Sequence, residues 1–138
     1  MIDAVAEVPL FHGDAFERSK DGPRLLGSRC RACDQVFHPR VSICFECLGS
    51  DLAILPLASI GTLECFTTVH MPAERIAAPY TVGYVTLPEG MRIFAPIDAA
   101  ADVLTVGMTM HLAYFALGVG RPEAIAYCFV PESGMRAP

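Results

Sequence analysis

The chain has no tryptophan, only one lysine (Lys20), and few charges of either sign. Asp, Glu, Lys and Arg make up 18% of its 138 residues, against roughly 25% in an ordinary globular domain. The ten basic residues are outweighed by fifteen acidic ones, for a formal net charge of −5. That balance argues against a nucleic-acid role, because neutralising phosphates takes clustered Lys and Arg. Apolar residues reach 53%, yet no apolar run approaches the ~20 residues needed to cross a bilayer, so no membrane role is expected. The opening "MIDAVAEVPLFHGDAF" lacks a basic n-region and carries Asp3 and Glu7, unlike a secretory leader. A cytoplasmic location follows as the expectation. There is no GxSxG, no phosphate-cradling glycine loop, no paired-acid constellation, no internal repeat and no low-complexity tract. So apolar a chain with so little charge is expected to have part of its surface covered by a partner.

What the sequence does have is cysteine in one place. Four of the six fall in "CRACDQVFHPRVSICFEC" as two CxxC pairs, Cys30/Cys33 and Cys44/Cys47. A CxxC turn aims two thiolates at one ion, and a second such turn completes a tetrahedral sulfur shell. The ten-residue gap suits a small ribbon with a short hairpin between the knuckles. Disulfides are a weak rival in a reducing compartment, and two motifs in tandem favour metal over redox chemistry. One structural zinc is the expected occupant. The ligands alone would also accept iron, as in rubredoxin. Four cysteines leave no place for water, so the site is closed and not catalytic. Arg29, Arg31 and Arg40 adjoin the knuckles and are read first as neutralising the thiolate charge, second as anion ligands.

The rest reads mainly as β-structure. A short helix is expected at 11–20, "FHGDAFERSK", stopped by "DGP". Past Ser59, five runs are rich in Val, Ile, Thr, Tyr and Phe: 61–70, 79–87, 91–97, 108–117 and 123–130. Turn signals separate them, and the one helix-prone piece, 98–105, lies between the third and fourth. Five strands with a helix after the third suit a closed Greek-key barrel of the OB type. Three segments result: 1–24, N-terminal and helical; 25–55, the ribbon; 56–138, the OB-fold domain. Parity along the strands groups Cys65 with Leu63 and Val69, and Cys128 with Ala126 and Val130, so both are expected to be buried core thiols. His12, His38, His70 and His111 are scattered. His70, at a loop mouth, is the one most suited to a site. The connection at 70–80, "HMPAERIAAPY", offers Arg75 and Tyr80. With Phe37 and Arg40 from the ribbon they are expected to frame one groove for an adenine and its phosphates.

"LLGSRCRACDQVFHPR…CFEC", "GTLECFTTVH", "APYTVGYVTLPEG" and "VGMTM", in that order, resemble the acyl-CoA-associated zinc-ribbon/OB-fold family, labelled domain of unknown function 35. The likeness runs over about residues 11 to 130. It implies an N-terminal helical segment, a rubredoxin-like zinc ribbon on Cys30, Cys33, Cys44 and Cys47, and a C-terminal OB fold. It also implies a non-catalytic accessory subunit of a thiolase-family enzyme that binds coenzyme A or acyl-CoA, for which Phe37, Arg40, His70, Arg75 and Tyr80, read from the loop and ribbon themselves, are the candidate contacts. A subunit of an acyl-CoA hydratase or acyltransferase complex is the alternative. A ribbon/OB nucleic-acid binder, or a free-standing enzyme or electron carrier using the metal, ranks behind both. Two positions depart from the family pattern: Asp34 and Leu48 follow the second and fourth cysteines, where glycine is usual.

Overall fold

The structure, a computed structural model, describes residues 10, 15–73, 75–118 and 124–132. Among the described residues nine strands succeed one another: β1 (Phe16–Ser19), β2 (Gly22–Cys30), β3 (Val36–Phe37), β4 (Leu52–Pro56), β5 (Ile60–Val69), β6 (Tyr80–Thr86), β7 (Arg92–Ile97), β8 (Thr109–Leu117) and β9 (Ala124–Pro131). One 3-10 turn, Ala101–Val103, lies between β7 and β8. The helix-prone piece at 98–105 thus supplies a single turn where the OB plan places its helix.

The helix expected at 11–20 is not formed at its described residues. Phe16–Ser19 is instead a strand, paired antiparallel with β2 from Phe16↔Leu25 to Ser19↔Gly22. The "DGP" stretch that reads as a helix stop is the turn of a hairpin, with Gly22 at φ 113°, where L side chains rarely go. Residues 11–14 lie outside the described set.

Strand β2 is the spine of the N-terminal half. Beyond β1 it pairs with β3 (Ser28↔Phe37, Arg29↔Val36) and, along Leu26↔Pro56 to Cys30↔Leu52, with β4. The Ser28 hydroxyl is buried. It accepts from the Val41 N–H at 3.0 Å and can donate to the Val41 carbonyl at 3.3 Å, tying the knuckle-to-knuckle loop to the spine.

Strands β5 to β9 close a barrel in the order β5-β6-β7-β9-β8. All neighbours are antiparallel except β7 and β9, which run parallel and meet at Ile97↔Phe129. That is OB topology. The inner face carries Leu63, Val85, Ile93, Ala95, Met110 and Phe129, all at most 2% exposed. The same cluster continues into Phe16, Leu25 and Leu57, so ribbon and barrel share one core.

A bulge between Leu63 and Cys65 in β5 overturns the parity assignment of Cys65. The extra residue shifts the alternation by one. Cys65 is exposed, beside Tyr84 on the outer face, whereas Cys128 is buried as expected. The bulge sits where the neighbouring strand comes very close. A Cβ on Gly83 would lie 2.4 Å from the Cys65 carbonyl oxygen.

Candidate metal centre and ribbon–barrel cleft

Each CxxC pair forms a knuckle of the same construction. The Asp34 N–H bonds the Cys30 carbonyl at 2.8 Å, and the Leu48 N–H bonds the Cys44 carbonyl at 2.9 Å. Asp34 and Leu48 stand at φ 67° and 63°. They are the two positions at which the resemblance leads one to expect glycine, and glycine takes this left-handed backbone most readily. It turns the next amides toward sulfur: the N–H groups of Gln35 and Gly49 point at the Cys33 and Cys47 thiols.

The four Sγ atoms lie within 4.8 Å of one another. Two pairs, Cys30/Cys47 and Cys33/Cys44, are 3.6 and 3.5 Å apart. A sulfur tetrahedron with Zn–S of about 2.3 Å has edges of about 3.8 Å, so the set fits a zinc ion with little adjustment. Cys30 and Cys44 form the buried side of the site, Cys33 and Cys47 the exposed side. The N–H groups of Cys47 and Glu46 approach the Cys44 sulfur at 3.4 Å and bring its thiol down to about 7. At Cys33 the Gln35 N–H pulls the thiol down, but burial and the three crowded thiols outweigh it and push it up to about 12. Four sulfurs this close resist holding four negative charges unless a cation stands between them, which is the role a divalent metal fills. The neighbouring arginines do not fill it. Arg29 bonds Asp34 at 2.7 Å and Arg31 bonds Asp51, so both take carboxylate partners.

The residues expected to frame one groove are distributed over the molecule. Arg40 lines a cleft of about 650 Å³ between ribbon and barrel. Arg75 and Tyr80 line another, of about 570 Å³, whose walls also carry Asp98 and Phe115. Ile76 borders both. Phe37 faces Phe45 edge-on at 5.2 Å on the ribbon. His70 is exposed just past β5 and lines neither cleft. His38 bonds the Ala15 carbonyl at 3.1 Å, and burial lowers its pKa despite that bond. His111 reaches Glu132 at 3.2 Å.

Sequence reasoning missed the other side of the first cleft. Tyr84 and Phe94 are cross-strand partners on the outer face of β6 and β7, their rings 5.2 Å apart. They are 39% and 55% exposed. The Arg92 guanidinium lies 5.7 Å from the centre of the Tyr84 ring and is held there by Glu64 at 2.9 Å. This pair raises the Arg92 pKa and lowers that of Glu64. Alternation contained the signal: if Val85, Ile93 and Ala95 point inward, then Tyr84, Arg92 and Phe94 must point outward.

A four-cysteine ribbon joined to a five-stranded OB barrel defines the class: a small zinc-ribbon/OB-fold protein. Residues 21–53 match the family described as "ChsH2, rubredoxin-like zinc ribbon domain" and residues 56–115 the one described as "ChsH2, C-terminal OB-fold domain". The chain belongs to this ChsH2-type ribbon/OB family. It is 36% identical over 96 residues to the benzoylsuccinyl-CoA thiolase subunit BbsA of Thauera aromatica, an alignment covering 68% of this chain and 67% of that one. It is 31% identical over 94 residues to a DUF35 domain-containing scaffold protein of Methanothermobacter thermautotrophicus, covering 65% and 71%. In three dimensions it resembles a chain of the Ltp2-ChsH2(DUF35) aldolase, with a TM-score of 0.65, 29% identity, and coverage of 78% and 84%. Among the described residues, no helix is long and apolar enough to cross a membrane.

Proposed function

We propose that this chain is a non-catalytic accessory subunit of a thiolase-family enzyme complex, and that it contributes to the binding of that enzyme's acyl-CoA. The observation that carries the reading is the similarity, over ribbon and barrel together, to a protein named as a thiolase subunit. The residues fit it. Catalysis by a nucleophile needs an activating base. The Cys128 thiol is buried and bonds the Tyr114 carbonyl, and burial raises its pKa. The described bonds of His38 and His111 go to a carbonyl and a carboxylate, not to a hydroxyl or thiol. Zinc held by Cys30, Cys33, Cys44 and Cys47 fixes the fold of the ribbon and takes no part in chemistry. The reading places the protein in the cytoplasm, where such thiols stay reduced.

Purified alone, the chain is expected to show no thiolase or thioesterase activity above background. Combined with a thiolase-type catalytic subunit, it is expected to co-purify and to raise that subunit's activity. Loss of an intrinsic activity in Cys65→Ala or Cys128→Ala would contradict the accessory role. Of the contacts taken from the loop and ribbon, Arg40 and Arg75 remain the candidates for phosphate, because a guanidinium gives bidentate, charge-assisted bonds. Phe37, His70 and Tyr80 are the weaker candidates, since they are spread over three places.

A further inference from the structure

The cleft between ribbon and barrel differs in charge from the rest of this acidic molecule. Arg40 and Arg92 are among its described walls, and no carboxylate is. The cleft of Arg75 and Tyr80 includes Asp98, and a smaller one beside the β1–β2 hairpin includes Asp21. The Arg92 charge is shared with Glu64, and what the two arginines offer an anion is the several N–H donors of each guanidinium.

Its remaining surface favours a flat ring. Tyr84 and Phe94 are exposed side by side on the second and third barrel strands, their rings tilted 55° to each other, on the face where OB folds bind oligonucleotides and oligosaccharides. Glu64 holds Arg92 over the Tyr84 ring. Arg92 thereby gives one donor to Glu64 while its planar fork has others to offer. His38 and Tyr127 also line the cleft, with ring centres 6.0 Å apart. The volume of about 650 Å³ lies in the range of small-molecule sites.

We propose that the cleft between ribbon and barrel binds a purine nucleoside phosphate, the nucleotide end of a CoA thioester, with the base on the Tyr84–Phe94 platform and phosphate at Arg40. The choice of a CoA-type nucleotide rests on the acyl-CoA reading above. The position is new. It places the nucleotide against the outer faces of β6 and β7 and away from the cleft of Arg75 and Tyr80.

Cys65 provides the readout, because the β5 bulge puts this exposed thiol directly opposite Tyr84. The zinc-loaded full chain would be titrated with ADP, adenosine and inorganic diphosphate. Binding would be followed by backbone NMR shifts and by the rate of Cys65 alkylation mapped by mass spectrometry. ADP is expected to shift residues of β6 and β7 around Tyr84 and Phe94 and to slow Cys65 alkylation severalfold. Tyr84→Ala and Arg40→Ala are each expected to weaken ADP binding about tenfold, the size of losing one stacked ring or one phosphate contact. Tyr84→Phe should restore binding, and Arg24→Ala, whose guanidinium pairs with Glu17 outside this cleft, should leave it unchanged. Dependence on Arg75 in place of Arg40 and Tyr84 would overturn this site but leave the acyl-CoA reading standing. So would CoA binding to the partnered complex with Cys65 unprotected. Absence of ADP and CoA binding by both chain and complex would remove both.

Discussion

Leu48 holds a left-handed backbone at φ 63° with 75% of its surface in water. No burial compensates the conformation. Its cause is the knuckle, whose Leu48 N–H must reach the Cys44 carbonyl. Left-handed backbone costs a non-glycine residue about 1–2 kcal/mol, partly offset by the greater freedom glycine has when unfolded. Leu48→Gly is therefore expected to stabilise the zinc-loaded protein by up to about 1 kcal/mol, measured by denaturant unfolding. A loss of stability would show that Leu48 makes a contact not accounted for by its exposure. His38 gives a pH dependence of definite sign. Burial lowers its folded-state pKa below 6.5, so the unfolded chain binds the proton more readily. Its contribution to stability is fully present above about pH 6.5 and declines as pH falls below it. Ring-carbon NMR should find His38 still neutral where an exposed histidine is half protonated, and an inflection at or above 6.5 would contradict its burial.

The barrel strands were legible because each is a run of β-branched and aromatic residues between turn signals, and their observed ends differ from the reading by a residue or so. The metal ligands were legible because a tetrathiolate knuckle needs cysteine at fixed spacing. Two elements were misread for physical reasons. At 11–20 the apolar spacing was compatible with a helix, but β2 offers Phe16 a ladder and a buried place against Leu25. Tertiary pairing overrode a weak local preference. At Cys65 the bulge broke a two-residue period that sequence alone could not interrupt. Gly83 is the trace it leaves, because β6 passes so near the bulged backbone that a side chain does not fit. Gly83→Ala must push against a carbonyl fixed in the ladder and is expected to cost about 1–3 kcal/mol. An alanine variant as stable as the parent would mean that the bulge can relax. The clefts were illegible for another reason. Arg40 and Tyr84 come from different halves of the molecule, and only the packing of ribbon on barrel brings them to one cleft.

At the scale of the whole molecule, the shared core couples the metal to the barrel. Phe16, Leu25 and Leu57 pack in the same cluster as Leu63, Met110 and Phe129. The Cys30 ligand ends the spine strand that carries Leu25. Elemental analysis should find about one zinc per chain. Cys30→Ser or chelation should unfold the ribbon, because binding and folding of such sites are coupled, and should lower the melting temperature of the barrel as well. A metal-free, fully folded chain would refute the structural role of the site, and a reddish iron-loaded protein would redirect it toward rubredoxin-like chemistry. A partnered role agrees with the outer surface, where Phe45, Ile54, Met71 and Val106 are each more than half exposed. The most direct measurement is affinity purification of the tagged full chain from its own cells, with mass spectrometry and native mass measurement of what is retained. A thiolase-family enzyme is expected in fixed stoichiometry with the chain, active as the complex. A chain that purifies alone as a soluble monomer, or in fixed stoichiometry with a protein of another class, would contradict it.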